Sequence, residues 1–328
     1  MLISRTPFRI SFVGGGTDIP DFYRENGGGA VLSMSIRYYF YLTIHEYFYR
    51  DSFLIKYSKT EKVSNVLEIE HRIIRQVFSD YDMKGVDFSS AADFPAGTGL
   101  GSSSAFTVSL ITLCNAYGWK YEPKMTIAEK ACAVEIEKLG EPIGKQDQYA
   151  CALGGMNLLR FSPDDTVSAA PIFLDLENRR RLEQNLLLFY IGNPRSASEI
   201  LRRQKEVMRN ESRVLADMTY MAEQAARLKD DLLRDVDLLG DYLDEGWQRK
   251  RRLAPGITSP KIDEIYASAV GRGASGGKVL GAGGGGFLLL YVKPEAQSAV
   301  REALRGLPLY PVALDVDGTT IIYDDRVA

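Results

Sequence analysis

The chain is poor in the residues that build metal centres and disulfide frames. Of its 328 residues only 3 are cysteine and 2 are histidine. Cys114, Cys132 and Cys151 are odd in number and lie in apolar or helix-patterned surroundings, which disfavours a disulfide framework and predicts reduced core thiols. His45 and His71 stand apart with no CxxC or HExxH spacing, so a zinc site is disfavoured as well. No run approaches the roughly eighteen consecutive apolar residues of a membrane span. The opening MLISRTPFRISFVGGG lacks the charged, apolar and cleavage regions of a secretory leader, and a cytoplasmic location is expected. A formal net charge of -3 supplies no field to gather nucleic acid or an anionic membrane. The expected partner is a small molecule.

What is present is an ordinary globular composition, 45% hydrophobic and 25% charged, on a chain longer than one core usually supports. Two domains sharing a cleft are expected. FRISFVGG, RYYFYLTIHEYF and SFLIKYS read as strands, whereas VLEIEHRIIRQVF, FTVSLITLCNAYGW and MTIAEKACAVEIEKLG read as helices, the last ending at Gly140 with Pro142 beyond. After the buried strand NLLLFYIGN the chain becomes helical and charged from Ser196 to about Arg252. That shift places the boundary near residue 180, giving an N-terminal domain over 1–180 and a C-terminal domain over 181–328. The second closes with GFLLLYV, PEAQSAVREALRG, YPVALDV and TTIIY as strand, helix, strand and strand, so the fold class is α+β. RRQKEVMRNESR is read as a solvated helix face.

Glycine is abundant, at 30 residues, and clusters in three segments. PAGTGLGSSSAF at 95–106 leads directly into an apolar helix. Such a loop suits a phosphate, because unpaired N–H groups and the positive end of the helix dipole meet the anion together. PFRISFVGGGTD at 7–18 and GGKVLGAGGGGF at 276–287 share the composition but not the common fingerprints. The first lacks GxGxxG. In the second, Arg272 and Val279 stand where a Walker A loop needs glycine and Ser or Thr, and Lys278 is read as a surface lysine. ALDVDGTT has the DxDGT form of haloacid-dehalogenase phosphatases, but too few residues follow Thr320 for a βαβ unit. DVDGTT is therefore expected to turn a hairpin between VALDV and TTIIY.

In this order and at these positions, the three segments resemble the signature motifs of the GHMP kinases, over essentially the whole chain. RISFVGGGTD, YSKTE at 57–61, GKQDQYA at 144–150 and GNPRSAS at 192–198 are most similar to the bacterial sugar-1-kinases acting on D-glycero-D-manno-heptose 7-phosphate. The resemblance implies a ribosomal protein S5 domain 2-like N-terminal domain and a ferredoxin-like C-terminal domain. ATP would lie over Pro95, Gly97, Thr98, Gly99, Leu100, Gly101, Ser102, Ser103 and Ser104. Asp147 would be the catalytic base, assisted by Arg9, and Ser103 and Glu135 would hold Mg2+. Gly16, Thr17, Asp18, Arg195, Gly283 and Gly284 are assigned to the substrate, a sugar or sugar phosphate. The implied product is the 1,7-bisphosphate, for nucleotide-activated heptose and surface polysaccharide synthesis. A homodimer is compatible with the resemblance.

The residue types suit that chemistry independently. Phosphoryl transfer needs backbone donors for the phosphates, oxygens for magnesium and a group to take the hydroxyl proton. For Glu135, the neighbours Glu137 and Glu141 are rivals of like chemistry. A phosphorylated substrate needs a second anion site, for which Arg195, Ser196 and Ser198 at a predicted helix start compete with Lys56, Lys59 and Lys145. A neutral sugar such as fucose or galactose is the rival substrate. A non-catalytic sugar and ATP sensor on the same fold is the rival class, opposed by intact Asp147, Arg9, Ser103 and Glu135.

Overall fold

The structure, a computed structural model, describes residues 1–192 and 197–327. The first part of the chain runs β1 (Leu2–Val13), α1 (Pro20–Tyr23), β2 (Gly29–Glu46), β3 (Phe53–Lys56), β4 (Thr60–Val63), α2 (Arg72–Asp80), β5 (Val86–Ala92) and α3 (Ser102–Tyr117). There follow α4 (Lys124–Cys132), α5 (Gln146–Leu153), β6 (Met156–Phe161), β7 (Val167–Pro171), α6 (Leu176–Asn185) and β8 (Leu186–Gly192). The remainder comprises α7 (Ala197–Asn210), α8 (Ser212–Leu232), α9 (Leu239–Lys250), α10 (Pro260–Val270), β9 (Gly276–Val279), β10 (Gly286–Tyr291), α11 (Pro294–Ala303), β11 (Leu309–Pro311) and β12 (Thr320–Asp324).

β1 alternates buried and half-buried residues at its start and is buried on both faces from Thr6 onward, as a strand between two covering layers must be. It pairs along β2, with a register shift beside Pro7, which has no N–H to give to the ladder. β2 is long enough to serve two partners, β6 on its first half and β5 on its second. The first sheet is thereby ordered β12-β1-β2-β5-β3-β4, with β6 and β7 attached.

The second sheet is ordered β11-β8-β10-β9, and all its pairs are antiparallel. Numbered along the chain, its strands lie side by side in the order 4-1-3-2, with helices after the first and third, which is the ferredoxin-like arrangement. One apolar cluster joins Phe8, Ile10 and Phe12 of β1 to Leu188 of β8, Leu289 of β10 and Leu243 of α9. This shared core brings both sheets to the same end of β1.

Two expectations from sequence are corrected. VALDV does not form a hairpin with TTIIY: β11 ends at Pro311, Leu314 makes only an isolated bridge to Ile36, and β12 pairs with β1. The reason is tertiary. Thr319 Oγ1 shares hydrogen bonds with Thr6 at 2.7 Å and Thr112 at 2.8 Å, and Gly318 packs where an added Cβ would stand 2.3 Å from the Ala152 carbonyl oxygen. The Asp-Gly pair thus steers the chain onto the end of α5. VLEIEHRIIRQVF, in turn, is a 3-10 turn at Val66–Glu68, capped reciprocally by Asn65 and Glu68, and then α2, capped by His71. The break leaves Leu67 exposed while Ile69 and Ile74 are buried, whereas one continuous helix would carry Leu67 on the same face as Ile74.

Candidate active site

The three glycine segments converge on one cleft of about 450 Å³, within the range of small-molecule sites. Two of them touch through backbone. An added Cβ on Gly281 would lie 2.6 Å from the Gly99 Cα, and one on Gly99 would lie 2.7 Å from the Leu280 carbonyl oxygen. Only glycine permits this stacking. Below the seam, Gly101 stands just ahead of α3, its left-handed φ of 76° ending the loop, with no side chain capping the first turn. Its first N–H groups are therefore available to an anion. Ser103 is exposed at that turn, whereas Ser102 Oγ is drawn back to accept from the Gly97 N–H at 3.2 Å.

Arg9, only 3% exposed, ties this loop to α5. Its N–H donates to the Leu100 carbonyl at 3.0 Å and its Nη1 to Gly99 at 2.8 Å. Nε and Nη2 then grip both carboxylate oxygens of Asp147 at 2.7 Å each. A bidentate pair of this kind fixes direction as well as charge. Asp147 sits in the first turn of α5 and lines the cleft. Asp18 lies beside it, accepting from the Gly16 N–H at 2.9 Å, the Gln146 N–H at 3.0 Å and Gln146 Nε2 at 2.9 Å. Burial pushes the Asp18 carboxyl above its ordinary range, reinforced by the charge of Asp147 and opposed by the N–H donors from Gln146 and Gly16.

Glu135 is fully buried on a π-helical turn, Ala133–Lys138, that follows α4, a distortion frequent at functional sites. Its oxygens accept from Ser103 Oγ and Gln148 Nε2, both at 2.7 Å. Burial is the main cause of its raised carboxyl affinity for a proton, while bonds from Ser103, Ser104 and Gln148 work against it. Of its sequence rivals, Glu137 is exposed, and Glu141 lines the cleft but is paired with Arg72 at 3.0 Å. Among the described residues no three His, Cys, Asp or Glu side chains converge. Ser103 and Glu135 together fit an ion that takes one or two protein oxygens.

Arg9, Gly16, Asp18, Gly97, Gly99, Gly101, Ser102, Ser103, Ser104, Asp147 and Gly283 line the cleft. Several other candidates do not. Thr17 is fully buried, its hydroxyl donating to Gly14 at 2.8 Å and Ala30 at 3.0 Å, so it shapes the first glycine turn from behind. Thr98 turns its hydroxyl to Pro95 at 3.1 Å, Leu100 is core, and the Gly284 N–H is bonded to Ile257. Pro95, like Glu135, is not part of the lining. Arg195 and Ser196 lie outside the described residues, as does the side chain of Ser198. The rival lysines are engaged by acids: Lys56 with Asp87, Lys59 with Glu70 and Lys145 with Asp165. Lys278 is not on the surface. It is 3% exposed and donates to the Phe12 carbonyl at 2.8 Å, because α9 covers β9.

Sequence reasoning missed several polar lining residues, among them Arg72, Gln146, Gln204 and Lys250. Gln146 lay inside a quoted motif. Gln204 and Lys250 were hidden in charged helical stretches, where only the buried position of one residue within a helix turn distinguishes it from its solvated neighbours.

A phosphate-suited helix N-terminus, two stacked glycine loops and an Arg–Asp pair between them describe a phosphotransferase cleft. The chain belongs to the GHMP kinases: residues 56–155 match the GHMP kinases N terminal domain and residues 221–307 the GHMP kinases C terminal domain. It is 30% identical over 92% of both chains to the D-glycero-alpha-D-manno-heptose 7-phosphate kinase of Campylobacter jejuni. A galactokinase of Thermotoga neapolitana is 24% identical, again over 92% of each. Among solved structures, a D-glycero-D-manno-heptose 1-phosphate kinase from Bacteriodes thetaiotaomicron superposes with a TM-score of 0.80 at 25% identity, covering 99% of this chain and 100% of its own. No helix among the described residues is long and apolar enough to cross a membrane.

Proposed function

We propose that this protein is an ATP-dependent sugar-1-kinase that phosphorylates the anomeric hydroxyl of D-glycero-D-manno-heptose 7-phosphate, giving the 1,7-bisphosphate that feeds nucleotide-activated heptose. The observation that carries the kinase reading is the bidentate Arg9–Asp147 pair at 2.7 Å, held against the loop that opens α3. The choice of heptose rests on the 30% identity with the Campylobacter jejuni enzyme along nearly the whole chain.

In this reading the triphosphate lies over the Gly97–Gly101 loop and the sugar lies beside Asp18 and Gln146. The sugar oxygen attacks the γ-phosphorus, the bond to the β,γ-bridging oxygen breaks, and ADP leaves with that electron pair. Asp147 accepts the hydroxyl proton and passes it to solvent. Arg9 keeps the carboxylate aimed and shields charge on the transferred group. Ser103 and Glu135 would hold Mg2+, which when bound neutralises phosphate charge. Asp18 receives a sugar hydroxyl with lone pairs already oriented by Gln146 and Gly16, so little ordering remains to be done on binding.

An ATP-consumption assay with magnesium, run on the heptose 7-phosphate, its dephosphorylated form, galactose, mannose and fucose, tests the reading. Turnover confined to the 7-phosphate is expected. Turnover on a neutral sugar would keep the mechanism and replace the substrate, a possibility favoured by the Thermotoga neapolitana relative.

A further inference from the structure

Lys250 ends α9 and reaches from the C-terminal helices into the cleft. It is 5% exposed and donates to the carbonyl of Gly281. Arg9 makes the matching contact on the other side, to the carbonyl of Gly99 at 2.8 Å. Because Gly99 and Gly281 are in backbone contact, the two cations bracket the seam between the glycine loops, one from each domain. An ammonium has three donors and a full charge, and a single carbonyl answers only a part of either. Among the described residues Lys250 has no ion pair. The charged groups facing it are Arg9 on β1, Asp18 beyond β1, Asp147 on α5 and Lys278 on β9. The acid on the neighbouring α8, Asp217, is taken by Arg249 and Arg252. Asp147 is likewise taken by Arg9, and Asp18 by Gln146 and Gly16.

A lysine left buried in this way is stabilised by whatever anion enters the cleft. We propose that Lys250 is a second catalytic cation, which with Arg9 faces the transferring phosphoryl group where the two glycine loops meet. The proposal rests on the kinase reading above. A preoriented cation in a water-poor cleft is worth orders of magnitude in rate, since it need not reorganise as charge develops. Burial, with Arg9 nearby, lowers the Lys250 ammonium to about 8, against the pull of Asp18 and Asp147. A bound triphosphate would return it to full charge.

The test is calorimetry of a non-hydrolysable ATP analogue with magnesium, at pH 8 in buffers of different ionisation enthalpy, alongside kinetics. Wild type should take up about half a proton per analogue bound, and Lys250→Arg, whose guanidinium stays charged, should bind without that component. Lys250→Met should lose kcat by on the order of a hundredfold or more with the sugar KM little changed. Lys250→Arg should regain part of the rate and abolish the fall in kcat/KM as pH rises through the lysine's titration. A role confined to tying α9 to Gly281 would move stability but not the proton count. Turnover by Lys250→Met within about threefold of wild type, or proton uptake persisting in Lys250→Arg, overturns the proposal and leaves the kinase reading intact. Lys250-dependent uptake without turnover of any sugar removes the kinase reading and keeps Lys250 as a triphosphate-facing cation.

Discussion

Asp18 lies directly over the α-carbon of Gly144: a Cβ added there would stand 1.9 Å from the Asp18 Oδ2. The loop ahead of α5 and the first glycine turn are thus packed together through a carboxylate that also bonds the Gln146 N–H. Sugar-side geometry and the start of α5 are one unit.

Gly144→Ala should therefore displace Asp18 rather than the triphosphate loop. Overpacking of this kind costs about 1–3 kcal/mol, visible as a lower Tm. kcat/KM for the sugar should fall at least about tenfold, while the KM for ATP stays near wild type. Steady-state kinetics with each substrate varied in turn separates the two.

Asp147→Asn should keep the fold and ATP binding and lose turnover by roughly 10²–10⁴-fold, the usual worth of a positioned proton acceptor. Arg9→Lys keeps one charge but cannot make the bidentate grip. It should lose both turnover and stability, since the carbonyl of Gly99 loses its donor too. Unchanged turnover in Asp147→Asn would take that residue out of the mechanism.

Gly281→Ala should part the two glycine loops, because its φ of 65° already disfavours a side chain and the added Cβ meets Gly99. The expected result is a raised KM for ATP with a smaller change for the sugar. Equal loss of both affinities would show that the whole cleft had collapsed.

Asp165 supplies a pH-dependent contact outside the cleft lining, bonded to Arg24, Tyr23 and Lys145. The Arg24 bond is the largest cause of a carboxyl lowered to about 2, with burial acting against it and Tyr23 and Lys145 helping. A depressed folded value means that the contact stabilises above the ordinary aspartate range and is lost as pH falls from about 4 toward 2. The Tm difference between wild type and Asp165→Asn should be present at pH 7 and vanish across that window. A difference that persists at pH 2 would assign the effect to packing.

The glycine loops were legible because their chemistry is local: PAGTGLGSSSAF needs only its own residues to free the first turn of α3. Arg9 and Asp147 were legible as types, in segments far apart along the chain. Their contact was not, since it depends on β1 and α5 meeting under the same loop. Lys278 illustrates the limit. A lysine beside a glycine run reads as solvated, and only the packing of α9 over β9, with the Phe12 carbonyl of β1 as its acceptor, buries it. Lys250 is the same case on a helix, where the rotation from one residue to the next separates solvent from cleft.

What the sequence by itself determined is therefore the set of local devices: strands from alternation, helix ends from caps, and an anion-binding turn from glycine and serine. Tertiary structure decided which edges pair and which charges face each other. DVDGTT has all the signals of a hairpin, yet the hydroxyls of Thr6 and Thr112 and the open edge of β1 draw β12 away from its neighbour in sequence. Hydrogen-bond partners and burial are properties of position in space, and no local pattern encodes them.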